Sequence, residues 1–395
     1  MIFSLPFHVA RFFRPTLLES FSLSNADLGD SFAVYGAIAM ICYFPGGIIA
    51  DYFSARRLMA TSLLATAAGG FYFAQVPDTT GLTLLFGYWG ITSILMFWAG
   101  MIKATREWGG ATSQGRAFGL LDGGRGLAAA IMSSVAVLLF SKIISVDSGD
   151  ISAEEKISGL RAVIYFYTAI TALAALLIWR YIPESENSRR SAYNPGNAIV
   201  EAISSKKVWL QAAIVICSYC AFKASDNYGL YLVNVLSMNH VDASTFTSLT
   251  AYLRPVGAIC AGFLADRFMA SRVIQWSFIA LTLFYALLAI SWPINVLFNL
   301  AIFSLVSSYL AVFALRGVYF ALVEECRINK NITGTAVGLV SLIGFFPDVF
   351  FASLTGRILD SDTGVTGFEN YFLFMMLISI TGLILAIIIN RNNCN

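Results

Sequence analysis

The sequence predicts an all-α integral membrane protein, with about twelve transmembrane helices in two pseudo-symmetric six-helix bundles. An internal repeat, a strongly apolar composition and a regular succession of apolar runs lead to that class. The repeat is the sharpest of the three. Gly47-Ile48-Ile49-Ala50-Asp51-Tyr52-Phe53 returns as Gly262-Phe263-Leu264-Ala265-Asp266-Arg267-Phe268, four of seven residues identical at an offset of 215. Gly115-Arg116-Ala117-Phe118-Gly119-Leu120 is echoed by Gly334-Thr335-Ala336-Val337-Gly338-Leu339 at an offset of 219. Similar offsets in two places imply a duplicated unit, and a duplicated apolar chain of 395 residues is most simply a carrier built from two helical halves.

Composition sets the solvent. Charged residues make up 12% of the chain, half the roughly 25% usual in soluble domains. The hydrophobic fraction is 58% and the mean hydropathy +0.73, so the lipid bilayer is the surrounding medium. A net charge of +2 gives no sign of a nucleic-acid partner. Of six cysteines, Cys217 and Cys220 form a C-x-x-C. They read as small apolar residues of a membrane helix, because only His8 and His240 could complete a metal site. No metal, cofactor or disulfide framework is expected. The first apolar run opens at Ile2, and no cleavable signal peptide is apparent.

Runs of about 20 apolar residues span hydrocarbon. Twelve are read at 2–21, 31–50, 57–75, 81–102, 117–141, 160–182, 208–236, 244–265, 272–292, 294–323, 333–356 and 369–390. The first is the weakest, interrupted by Arg11, Arg14 and Pro15. The polar stretch between helices six and seven divides the chain into a bundle over 1–183, a linker over 184–207 and a bundle over 208–395. With both termini placed in the cytoplasm, inward segments hold 15 of the 25 basic residues and outward ones hold 4, which satisfies the positive-inside rule. A multi-pass protein of the plasma membrane follows, or of the inner membrane if the cell is bacterial.

Gly47, Asp51, Arg56 and Arg57, between helices two and three, form a Gly-x-x-x-Asp stretch followed by a basic pair. This resembles the signature loop of the major facilitator superfamily. Gly262, Asp266, Arg267 and Arg272 form a degenerate second copy between helices eight and nine, where that family also keeps one. One departure exists: Ser54 stands where the family usually has glycine. The resemblance implies alternating access, with helices three, six, nine and twelve packed outside and the other eight lining a cavity. Glycine allows close helix approach, and an aspartate at a helix end can bond a neighbouring helix N-terminus or an arginine. Gly47, Asp51, Arg56, Arg57, Gly262 and Asp266 are therefore the expected conformational latch.

Charged residues inside spanning helices are costly and mark function. Nine stand out: Arg11, Arg14, Asp122, Arg125, Lys223, Asp226, Arg254, Arg316 and Asp348. All fall on helices that the resemblance assigns to the cavity. Six are basic and three acidic, a surplus of three positive charges that an anionic substrate would relieve. Arg11, Arg125, Lys223 and Arg254 are the expected substrate contacts. Asp122, Asp226 and Asp348 are the candidates for proton coupling or charge balance. Asp122 with Arg125, and Lys223 with Asp226, are spaced to share one helical face and neutralise each other. Arg11 shifted by the repeat offset lands on Asp226, which raises a pairing across the pseudo-two-fold axis as a gate. Arg316 lies closer to the cytoplasm and has snorkelling as its alternative reading. Gly123, Gly124 and Gly126 on helix five allow close packing or backbone approach to a ligand, and Pro255 and Pro347 allow kinks.

Pro183-Glu184-Ser185 starts like a sugar-porter loop but breaks at Glu186, and helix five lacks the proline of drug antiporters. The cation-rich cavity is more similar to the organophosphate and organic-anion branches. The expected function is secondary transport of a small organic anion such as an organophosphate or carboxylate, with a coupling proton or counter-anion as further partner. Two rivals stand: a proton-coupled symporter of a neutral sugar, amino acid or nucleoside, and a transporter-like receptor. No nucleophile–base set or phosphate loop points to an enzyme.

Overall fold

The computed structural model describes residues 4–109, 114–144, 152–184, 200–201, 203–290, 294–325, 333–362 and 364–394. Among these, the chain runs through twelve helical stretches. In order they are α1 (4–20), α2 (Asn25–Tyr52), α3 (Ala55–Phe73), α4 (79–109), α5 (Gln114–Ile143), α6 (Ala153–Tyr181), α7 (206–234), α8 (240–268), α9 (Ala270–Leu288), α10 (294–325), α11 (333–360) and α12 (Val365–Cys394). Among the described residues, nine of them, α4 to α12, are long and apolar enough to cross a membrane. The fold is the all-helical membrane architecture that the sequence predicts.

Several helices outrun the apolar stretches that announced them. An apolar run marks hydrocarbon, whereas a helix continues until its end groups are satisfied. α2 begins at Asn25 rather than near 31 because Ser24 and Asp27 form a reciprocal capping box. Ser152 and Glu155 do the same for α6. Asp78 and Asn239 accept from backbone N–H groups at the starts of α4 and α8.

The expectation of one helix over 2–21 is corrected. α1 is a π-helical turn (Ser4–Val9), a short α segment (Ala10–Phe12) and a second one (Arg14–Ser20), parted at Phe13 where φ is −123°. Pro15, near the start of the last piece, brings no N–H to bond backwards. α7 is also discontinuous: Lys206–Ala224, a 3-10 turn at Ser225–Asn227, then Tyr228–Asn234. α8 breaks at 251–252, three residues before Pro255, and α11 breaks at 345–346, just before Pro347. The kinks expected from those two prolines are present.

The chain divides into two compact units. Unit 1 holds Met1–Arg190, Ser237–Ala251 and Asp348–Arg357, and unit 2 holds Ser191–Leu236, Tyr252–Pro347 and Ile358–Asn395. The breaks in α8 and α11 are therefore also where the chain passes from one unit to the other.

Unit 1 packs small residues and backbone. Met59, Leu63, Phe97, Met101 and Ala175 form a buried cluster of α3, α4 and α6. Fully buried Trp89 donates its indole N–H to the Thr66 carbonyl. α2 lies directly on the second half of α11. A Cβ on Gly29 would strike the Ala352 carbonyl, one on Gly36 the Asp348 carbonyl, and one on Gly356 the Asn25 carbonyl. Only glycine permits so close an approach. Unit 2 packs rings, as unit 1 does at Phe73, Phe86 and Trp89. Tyr228, Tyr285, Tyr371 and Phe372 are fully buried, and Tyr228 Oη meets Ser308 Oγ at 2.8 Å and Tyr285 Oη at 3.3 Å. Such hydroxyl chains satisfy groups that lipid cannot.

Candidate functional site

Within unit 1, Arg125 of α5 and Asp348 of α11 come into one neighbourhood. The Arg125 guanidinium lies 5.8 Å from the Trp98 ring centroid, and Trp98 packs edge-on against Tyr43 of α2 at 6.1 Å. Asp348 and Arg125 both act electrostatically on Tyr43. The rings give the cation a polarisable face in an apolar setting. Arg11 is also in unit 1, partly buried in the short Ala10–Phe12 segment. The Asp122 side chain lies outside the described residues, so its pairing with Arg125 does too.

Within unit 2, Lys223 and Asp226 meet as their spacing predicts. Lys223 Nζ is 3.5 Å from Asp226 Oδ2, with side-chain exposures of 4% and 13%. The 3-10 turn beginning at Ser225 sets Asp226 one helical step from the lysine. Breaking so buried a pair strands the surviving charge. Arg254 starts the second piece of α8 and is partly buried. Arg11 belongs to unit 1 and Asp226 to unit 2, so the gate pairing stays an expectation.

Arg316 differs from its snorkelling alternative. Its Nη1 is buried without a hydrogen-bond partner, and its guanidinium lies 4.0 Å from the Phe222 ring centroid and 5.9 Å from that of Tyr219. Rings hold the head group where snorkelling would deliver it to water.

The expected latch is partly seen. Gly47 and Asp51 lie on the last turns of α2, and the Asp51 side chain lies outside the described residues. Arg56 and Arg57 both close on Glu184, at 2.6 and 2.5 Å, which gives that residue of the broken sugar-porter-like loop a structural role. Lys103 donates to the carbonyls of Ala50 and Phe53 at 2.8 and 3.1 Å and so covers the C-terminal end of α2. Asp266 is exposed at the end of α8, where Arg267 lies over the Phe268 ring at 5.3 Å. Close helix approach at Gly262, and at Gly123 and Gly124, is not found: among the described residues a Cβ there would meet nothing within 4 Å. Gly29, Gly36 and Gly356 do press on neighbouring backbone, and the sequence did not single them out.

Two polar clusters of unit 1 were also missed. Glu19 accepts from Lys156 at 2.6 Å and faces His240 Nε2 at 3.4 Å, while His240 Nδ1 meets Thr16 Oγ1 at 3.0 Å. Asp30 accepts from both terminal nitrogens of Arg357, at 2.8 and 3.0 Å, and from Ser353 at 2.5 Å. The Arg357 hydrogen bonds hold the Asp30 carboxyl below its ordinary value of 3.8. Arg14, 3% exposed, donates to Asn25 Oδ1 at 3.1 Å. No local spacing links Glu19 to a histidine more than two hundred positions away.

A bundle of lipid-length helices carrying buried charges and broken at several points defines a multi-pass integral membrane transporter. Residues 1–352 match the Major Facilitator Superfamily, and the chain belongs to that superfamily. It is 25% identical over 397 residues to the inner membrane protein YihN of Escherichia coli (strain K12), a likeness covering 98% of this chain and 92% of YihN. A shorter likeness, 32% identity over 139 residues, links 32% of this chain to 33% of the probable nitrate transporter NarT of Staphylococcus aureus (strain Newman). Among solved structures, a D-xylose-proton symporter matches with a TM-score of 0.76 at 15% identity, over 98% of this chain and 94% of that one. At that identity the likeness is one of fold.

Proposed function

We propose that the protein moves a small organic anion, such as an organophosphate or a carboxylate, by alternating access of two six-helix halves, 1–183 and 208–395, with both termini in the cytoplasm. The surplus of positive charge carries the reading. Arg11, Arg14, Arg125, Lys223, Arg254 and Arg316 stand on membrane helices against Asp122, Asp226 and Asp348. Arg14 donates to the Asn25 side-chain amide. An excess of basic over acidic residues on the membrane helices favours an anionic guest. The partial likeness to a probable nitrate transporter agrees with an anion. Arg11, Arg125, Lys223 and Arg254 are the expected substrate contacts, and Asp122, Asp226 and Asp348 balance charge or carry the coupling proton. The loop-end contacts of unit 1, Glu19 with His240 and Asp30 with Arg357, are then bonds of a closed gate.

A second reading, proton-coupled transport of a neutral solute, draws on the Lys223–Asp226 pair, which shows buried charges neutralised inside the bundle. A thermal-shift panel on the detergent-purified protein separates the two. Ligand at about 100 times its Kd adds about 2.7 kcal/mol of stability. Stabilisation by phosphate esters or carboxylates, lost in Arg254→Ala, supports the anion. Stabilisation only by sugars, nucleosides or amino acids overturns it.

A further inference from the structure

Five arginines among the described residues are completed by protein oxygen. Arg14 has the Asn25 amide, Arg56 and Arg57 share Glu184, Arg161 donates to the Ala74 carbonyl, and Arg357 grips Asp30. Arg316 of α10 is built differently. Its guanidinium carbon lies over the Phe222 ring, 4.0 Å from the centroid of a side chain itself 9% exposed, with Tyr219 at 5.9 Å. Tyr219 is braced in turn by Phe345, at 4.9 Å, and by Phe222, at 5.9 Å. A ring satisfies the face of a guanidinium but none of its five N–H bonds, which lie in the plane. Nη1 is buried without a hydrogen bond, and among the described residues Arg316 has neither a hydrogen-bond nor an ion-pair partner.

A buried charged donor left open is unfavourable unless something completes it. The residue as a whole is partly exposed, so a guest can reach it. The rings hold the guanidinium at one place on α7, with Nη1 buried and open to a hydrogen-bond acceptor. A planar fork matches the two oxygens of a carboxylate or a phosphate, and a lysine at the same place would supply only a point charge.

We propose that Arg316, seated on Phe222 and Tyr219, is a binding residue for the oxyanion group of the transported solute. The inference rests on the anion reading above and adds to the expected contacts a residue that the sequence placed among the nine membrane charges with snorkelling as its alternative reading. Its neighbours refine the site: Lys223 follows Phe222 directly in α7, but its charge is engaged by Asp226, which leaves recognition on this face to the arginine.

The test uses the full-length protein in detergent with three probes: inorganic phosphate, glycerol 3-phosphate and succinate. At least one should raise the melting temperature of the wild type. Its apparent Kd should rise about tenfold or more in Arg316→Lys and Arg316→Gln, and about threefold in Phe222→Leu, which removes the seat and keeps the charge. Phosphate esters acting without succinate, or the reverse, name the oxyanion. An Arg316→Lys protein that binds the probe as tightly as wild type overturns the role of Arg316 and leaves the anion reading standing. Stabilisation by neutral solutes alone removes both. Should the variants fail to fold, phenylglyoxal labelling of the wild type decides: Arg316 should be modified without probe and protected with it. Failure to label, or labelling unchanged by the probe, overturns the proposal.

Discussion

Arg357 and Arg316 sit in different units and in opposite chemical circumstances. Arg357 presents two nitrogens to Asp30 at the exposed end of a seam between α2 and α11. Arg316 lies against two rings with a buried N–H left open. The first is complete as the protein stands, and its loss removes a contact. The second is stable in a ring-lined seat while its directional valences stay unused. The difference teaches that the count of charges inside a transporter says less than the nature of what each one touches.

Four changes break or sharpen that comparison. The largest effect belongs to Lys223→Met, which takes the lysine away from a buried carboxylate. It should destabilise the protein by about 3–5 kcal/mol in unfolding assays, and adding Asp226→Leu should recover most of the loss. A double variant no better than the single one would mean that Asp226 is neutralised elsewhere. Next is Gly36→Leu, which drives a side chain into the Asp348 backbone. Overpacking should cost about 1–3 kcal/mol and slow solute uptake into vesicles. The same change at Gly262, with open space about it, should be near neutral for stability.

Glu19→Ala removes a carboxylate shared by Lys156 and His240 and should lower stability by about 1 kcal/mol, read as a shift in melting temperature. Arg357→Ala is the smallest, because solvent screens an exposed pair and its loss should barely move the melting temperature. Its pH signature is more telling than its size. The folded-state pKa of Asp30 is depressed, so its contribution is present above the ordinary carboxylate value and is lost as the pH falls through the folded-state one. Wild type and Asp30→Asn should keep a constant gap in melting temperature near neutrality, closing only below about pH 4. A gap that varied around neutral pH would place the control in another group.

The sequence carried the helices well and the contacts unevenly. α9 at Ala270–Leu288 follows its apolar run closely because hydrocarbon thickness dictates both. Lys223 and Asp226 were legible because helix geometry ties residues three apart. Asp30 with Arg357, and Glu19 with His240, were not, because each joins residues that only the tertiary fold brings together. The seat of Arg316 was hidden for another reason. Phe222 and Tyr219 look like any apolar residues of a membrane helix until an arginine from α10 is found on them. Asp51 and Asp122, both singled out beforehand, have side chains outside the described residues.

The joint between α2 and α11 has a consequence in time. Gly29, Gly36 and Gly356 put main chain against main chain, with no side chains threaded between one another at those points. Threaded side chains must change rotamer one after another before two helices separate, and each change adds friction. A joint of bare backbone parts and meets again like two smooth rails, held by its few polar clasps at Asp30 and Ser353. For a carrier that opens once per solute moved, that smoothness bears on how often it can turn over rather than on what it carries.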